Sequence, residues 1–245
     1  MCVAIYKPKG AKTPNLATLK QCWDANPDGA GIAMRRDRGK FCIEIHKGFM
    51  TFEEFTAAFN DYALADCEDE LFLHFRITTH GGTEPGNCYP FPLTKNITLL
   101  KHEDLLVNAA LMHNGVLPLS PDVKDISDTM ELCRLIAGGL TDKLPQIVEL
   151  LSPFIGSNKL AAMTPDGVYL AGEWHDIDGV KFSNLNWQYF GSMWGDGYGD
   201  DCWQPSKKEL KLLKKGVCPH CDSKGIVSDV YTYYCEQCGA MWEQC

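Results

Sequence analysis

Residues 71–78 read Leu71-Phe72-Leu73-His74-Phe75-Arg76-Ile77-Thr78. Successive side chains of a β-strand point to opposite faces. Leu71, Leu73, Phe75 and Ile77 therefore share one face, and Phe72, His74, Arg76 and Thr78 share the other. The first face is wholly apolar and suits a core. The second carries an imidazole, a guanidinium and a hydroxyl. Thr79, His80 and two glycines follow, which suggests a tight loop able to line a ligand.

The segments on either side repeat this habit. Residues 2–7 (CVAIYK) predict a short strand, and Asn15 to Asn26 a helix with Leu16, Leu19 and Trp23 on one stripe. Asn26-Pro27-Asp28-Gly29 is a turn signal. Gly31–Arg36 and Phe41–Lys47 predict strands joined by a polar turn around Asp37-Arg38-Gly39. Thr51 and Glu54 have capping-box spacing ahead of a helix carrying Phe52, Phe55, Phe59 and Tyr62. Downstream, Asn108–Met112 predicts a strand. Helices are predicted from Asp128 to Gly138-Gly139 and from Asp142 to Leu151. Strands at Lys159–Met163 and Val168–Gly172 flank the turn Thr164-Pro165-Asp166-Gly167. Strands and helices come in blocks with hairpin-like pairs. That order predicts an α+β fold, an antiparallel sheet covered by helices, in preference to a doubly wound one.

Composition narrows the class. The 245 residues suffice for one large core and a small module. Net charge is −9, which argues against bulk attraction to nucleic acid or to an acidic membrane. No apolar run approaches the roughly 18 residues a membrane span needs. The first residues lack the pattern of a signal peptide. Of twelve cysteines, four form two C-x-x-C pairs and the others are irregularly spaced. This predicts a reducing cytoplasm with free thiols and a metal site, not a disulfide framework.

Cys2 directly follows Met1. Removal of Met1 would leave one residue with both a thiol nucleophile and an α-amine base titrating near pH 7.7–8.0. A cysteine at position 2 can equally be incidental. Amide hydrolysis by a thiol also needs oxyanion donors and groups that hold the substrate. In His113-Asn114-Gly115, the Asn114 carboxamide and the Gly115 N–H make a two-donor oxyanion hole; Asn-Gly is also a favoured hairpin turn. Arg76 is a carboxylate clamp or a solvent-facing arginine on an edge strand. Asp128 is a partner for a substrate ammonium, or a helix cap paired with Glu131.

Taken together, Cys2, the run Asp28-Gly29-Ala30-Gly31-Ile32-Ala33, the run Arg76-Ile77-Thr78-Thr79-His80-Gly81, His113-Asn114-Gly115 and Ser127-Asp128-Thr129 resemble a class II glutamine amidotransferase domain of the N-terminal-nucleophile hydrolase superfamily. The resemblance covers most of residues 2–190. It implies a four-layer αββα sandwich. It also implies that Cys2 is the nucleophile, that Asn114 and Gly115 hold the oxyanion, and that Arg76 and Asp128 bind the α-carboxylate and α-ammonium of glutamine. Thr79 and His80 would line the same pocket. No phosphosugar-isomerase, phosphoribosyltransferase or ATP-dependent synthetase domain is recognisable behind it. The resemblance therefore implies ammonia delivery to a separate synthase subunit, or hydrolysis of a γ-glutamyl amide conjugate. A non-catalytic scaffold is the reading from another class.

The chain changes character near residue 191. Gly191–Asp201 is rich in Gly and Asp and predicts a linker, continued to residue 215 by the basic stretch Lys207–Lys215. Residues 216–245 form a cysteine-rich module. Cys218-x-x-Cys221 and Cys235-x-x-Cys238 suit four thiolates around Zn²⁺. The module resembles a zinc ribbon, with a structural metal; a rubredoxin-like iron site has a similar pattern. Tyr231, Tyr233, Tyr234 and Trp242 offer either a weak nucleic-acid contact through stacking or the ribbon's own small core.

Overall fold

The strand that opens the sequence reading is β4 (Glu70–Phe75), in the middle of a sheet. In the computed structural model the described residues are 2–36, 42–78, 82–188, 207–219, 223–228, 232–235 and 241–243. The chain divides into two units, Met1–Met193 and Trp194–Cys245. The first is a mixed α+β structure with antiparallel sheets.

Its larger sheet comprises β1 (Val3–Lys7), β2 (Ala30–Arg36), β3 (Cys42–Phe49), β4, β6 (Asp104–Val107), β10 (His175–Ile177) and β11 (Val180–Phe182). The order is β10-β11-β1-β4-β2-β3-β6. The smaller sheet has the order β5-β7-β8-β9, with β5 at Phe91–Pro92, β7 at Ala110–Asn114, β8 at Lys159–Thr164 and β9 at Gly167–Ala171.

Period-two alternation decides which core each strand serves. Val3 and Ile5 of β1, Ile32 and Met34 of β2, and Leu71, Leu73 and Phe75 of β4 face helices α1 (Leu16–Ala25) and α2 (Phe52–Asp61). Leu19, Cys22 and Trp23 come down from α1, and Phe55 and Phe59 from α2. Each such buried side chain contributes roughly 1.5–3 kcal/mol. The opposite residues, Ala4, Ala33 and Phe72, share a second core with β5, β7 and β8. Helices α4 (Asp128–Ile136) and α5 (Leu144–Leu151) close that core through Met130, Cys133, Leu144 and Val148. A short helix, α3 (Ile97–Lys101), adds Leu100.

Local signals set the helix ends. The Asn15 side chain caps α1 by accepting from Thr18 N. Thr51 and Glu54 form the full reciprocal capping box of α2. At α4 the cap is Ser127, which accepts from Met130 N; Asp128 is the first helical residue. The expectation that Asp128 caps this helix is thus corrected by one position. Asn114-Gly115 is likewise no hairpin turn. Asn114 ends β7, which pairs with β8.

Strand β4 lies between β1 and β2 and stops at Phe75, so Arg76 follows a central strand and is buried. The edge-strand reading of Arg76 does not hold. The hairpin of β10 and β11 was not anticipated from the pattern of residues, nor were β5, β6 and α3. The turn at Asp37-Arg38-Gly39, the loop residues Thr79, His80 and Gly81, and Gly191–Asp201 lie outside the described residues.

In the second unit, α6 (Lys207–Leu213) covers most of the basic stretch. A three-stranded sheet follows, β12 (Ile226–Ser228), β13 (Thr232–Cys235) and β14 (Met241–Glu243), in that order. Leu213, Cys218 and Tyr233 form its small core. Tyr233 therefore serves packing. Tyr231 lies outside the described residues.

Candidate active site

Cys2 begins the larger sheet one residue before β1. It shares the β1 face of Ala4, which points into the core between the sheets. Its thiol meets the backbone of Ile77, with Ile77 N–H donating to Sγ at 3.4 Å and Sγ donating to Ile77 O at 3.5 Å. Burial pushes the Cys2 thiol up from its ordinary value, against the pull of the Ile77 N–H and the Arg76 charge. The Cys2 carbonyl accepts from Asn184 Nδ2 at 2.7 Å. Ala4 N donates to Ser183 Oγ at 2.9 Å, and Ser183 N returns a bond to Ala4 O. The start of the chain is thus held in place by residues 183 and 184.

A cavity of about 560 Å³ opens at the thiol. Cys2, Arg76, His113, Gly115 and Asp128 line it, with Tyr89 and the 116–121 segment. A broader surface groove of about 720 Å³ runs past α3 and residues 102–104 but contains none of the predicted site residues. The smaller cavity is the chemically relevant one, because it alone joins a thiol, a cation and a carboxylate.

Each charged group is fixed by backbone. Arg76 N donates to Gly29 O, and Arg76 O accepts from Asp28 N; its guanidinium donates to Gly82 O at 3.1 Å. The Asp28 carboxylate accepts from Thr78 N at 2.7 Å, which steers the segment leaving β4. Asp128 Oδ2 accepts from Leu117 N and Oδ1 from Thr129 N, both at 2.6 Å. An ionised carboxylate offers about four acceptor sites, so Asp128 retains capacity for a cation.

Beneath the cavity lies a polar chain that sequence reasoning did not single out. Tyr89 O–H donates to Thr129 Oγ1 at 2.9 Å, and His113 Nδ1 lies 3.0 Å from the same oxygen. His113 Nε2 lies 3.0 Å from Asn158 Oδ1. Burial lowers the His113 pKa, so the neutral ring is favoured. Nε2–H faces the Asn158 carbonyl oxygen, and the one Thr129 hydroxyl proton lies between His113 Nδ1 and Asp128 Oδ1, to which Thr129 Oγ1 donates at 3.2 Å. Asn158 also limits position 115. Gly115 has φ +137°, and a Cβ there would lie 1.9 Å from Asn158 Oδ1. Only glycine fits.

Of the predicted residues, Cys2, Arg76, Gly115 and Asp128 meet at one cavity. Asn114 is buried and is not among the lining residues, although His113 and Gly115 on either side of it are. Its Nδ2 donates to Ser183 Oγ at 2.9 Å. Thr79 and His80 lie outside the described residues. Ser183 and Asn184 carry no local sequence signal, since their partners are about 180 positions away in the chain.

For the metal, Cys218 is buried and Cys218 N donates to Ser223 O at 2.8 Å. Cys235 ends β13. Cys221 and Cys238 lie outside the described residues. Among the described residues, no group of three His, Cys, Asp or Glu is placed to hold a metal ion. Nor is any helix among them long and apolar enough to cross a membrane. Compared with protein-family models and with curated proteins, the chain matches none.

Proposed function

We propose that this chain is an N-terminal cysteine amidohydrolase of the class II glutamine amidotransferase type, acting on the side-chain amide of glutamine. The observation that carries the proposal is the shared cavity, where the Cys2 thiol opens onto a buried guanidinium and a carboxylate suited to the two charges of an α-amino acid. Two helices on one face of the larger sheet, and a shared core with a second sheet and two further helices beyond it, support the four-layer αββα reading.

Removal of Met1 frees the Cys2 α-amine, which takes the thiol proton. The thiolate attacks the amide carbon, and the oxyanion forms between the Asn114 carboxamide and the Gly115 N–H. The amine returns its proton to the departing ammonia. A γ-glutamyl thioester at Cys2 is then hydrolysed by water that the amine activates. Arg76 holds the substrate carboxylate and Asp128 its ammonium; Thr79 and His80 belong to the same pocket in this reading. The ammonia passes to a separate synthase subunit. A γ-glutamyl conjugate is the second substrate reading, and Val116, which lines the cavity and is itself exposed, favours it. The scaffold reading, with the C-terminal module binding protein or nucleic acid, gives no reason for a buried guanidinium and a carboxylate at one cavity.

In the second unit, Cys218, Cys221, Cys235 and Cys238 would hold one structural Zn²⁺ by four thiolates, leaving no open position for chemistry. The metal would stiffen the module and would take no part in the proposed hydrolysis. The rubredoxin-like reading would place iron on the same four thiolates. The proposal places the protein in the cytoplasm, where such thiols stay reduced.

Intact mass of the purified protein, before and after diazo-oxo-norleucine, tests the hydrolase proposal. Loss of Met1 and a single adduct at Cys2 are expected. A retained Met1 with no adduct leaves the scaffold.

A further inference from the structure

Asn114 and Ser183 meet in a way that leaves two hydrogen-bonding groups unused. Asn114 is 3% exposed and Ser183 1% exposed. The Ser183 oxygen accepts from Ala4 N and from Asn114 Nδ2, each at 2.9 Å. A hydroxyl has two acceptor lone pairs, so both are filled, and its own proton is left over. Meanwhile Asn114 Oδ1 is buried with no hydrogen-bond partner among the described residues. An unpaired buried acceptor is costly, because it has given up its hydrogen bonds to water.

The two ends of a carboxamide have nearly the same shape, so a half-turn costs little sterically. In the turned state Ser183 still accepts from Ala4 N, while its O–H donates to Asn114 Oδ1. Both unused groups are then matched at the same separation. Nδ2 takes the position that Oδ1 held, a buried position behind the cavity lining, and its N–H donors are released from Ser183. That position lies on the β7 strand end between His113 and Gly115, which line the cavity with Cys2.

We propose that Ser183 is a positioning residue for the oxyanion hole. Its hydroxyl, oriented by the Ala4 N–H, favours the carboxamide orientation with oxygen toward Ser183 and N–H toward the bound amide. The same serine is joined to β1 two residues from the nucleophile, so one hydroxyl sets donor and thiol together. This rests on the amidohydrolase reading and extends it to a residue far away in sequence.

The test is steady-state glutaminase kinetics on the full chain with Ser183→Ala, Asn114→Ala and the double variant, alongside thermal melts. Losing an oxyanion donor typically lowers kcat about 10²–10³-fold, and Asn114→Ala should do so. Ser183→Ala leaves the carboxamide without a preferred end. It should lower kcat by about 10–10²-fold with KM nearly unchanged. In the Asn114→Ala background the serine substitution should cost no further kcat, although any loss of melting temperature from the Ala4 N–H should persist. Ser183→Thr, which keeps the hydroxyl, should retain more kcat than Ser183→Ala; Ser183→Cys, whose thiol is only a weak donor, takes the place of Ser183→Ala in the cycle if that variant does not fold. Unchanged kcat in Ser183→Ala overturns the proposal, as does an equal drop in both backgrounds. A wild-type enzyme that neither turns over glutamine nor labels at Cys2 removes the hydrolase reading itself, and this proposal with it.

Discussion

His74 shows how far a single residue can depart from what its letter suggests. It stacks on Tyr89 at 4.3 Å, is fully buried, and has Nε2 3.3 Å from His113 O. Nδ1 has no partner. Burial, aided by the nearby Arg76 charge, lowers its pKa to about 3. An unfolded histidine titrates near 6.5. Between those values the unfolded chain binds the extra proton, so stability falls as pH drops through this window. Urea unfolding of wild-type and His74→Phe proteins should show the wild type losing about 2–3 kcal/mol more between pH 7 and pH 4.5. Matching slopes for the two proteins would refute this. The alternation of residues 71–78 placed His74 opposite the apolar face, and that much was readable. Its neutrality was not, because it depends on Tyr89 and β7 arriving from elsewhere in the chain. Cys2, Arg76, Gly115 and Asp128 were readable as types suited to one reaction, whereas Ser183 acquires its role only through contact.

Among the elements, α4 places its cap and a carboxylate proposed to meet substrate at adjacent positions. The Ser127 side chain caps the helix, while the Asp128 carboxylate collects Leu117 N and Thr129 N at the cavity wall. Ser127→Ala should cost about 1 kcal/mol of stability with little change in KM. Asp128→Asn should raise KM for glutamine about 10–100-fold, the range of a lost charged hydrogen bond. Denaturation curves and steady-state kinetics distinguish the two, and a KM change following the serine instead would reverse the assignment. Caps at Asn15 and Thr51 were readable because donor and acceptor lie within one turn. The β10–β11 hairpin was harder, since strands of three residues barely establish a period. Its turn did carry a signal. Asp178-Gly179, both with positive φ, is a favoured two-residue hairpin pair.

At the scale of the molecule, the chain forms two units with separate cores. The smaller has few buried side chains among its described residues, which fits a module that draws its stability from metal. A structural zinc is worth about 10–16 kcal/mol to such a domain. Strong chelation should therefore release about one zinc per chain and abolish hydrogen-exchange protection in β12–β14. The melting of the first unit and labelling of Cys2 should be unaffected. Elemental analysis before and after chelation, with exchange measured by mass spectrometry, decides this; absence of bound zinc sinks it. The C-x-x-C pairs made the module readable, whereas the order of strands in the larger sheet was not, because β1 pairs with β4 and β11 across most of the unit. That long reach also shapes biosynthesis. Asn184 holds Cys2 across 182 positions. A nascent chain on the ribosome therefore carries its thiol without a finished seat until translation has passed that asparagine. If the proposed hydrolysis holds, competence waits for that point, and a chain abandoned before residue 184 lacks the seat of its thiol.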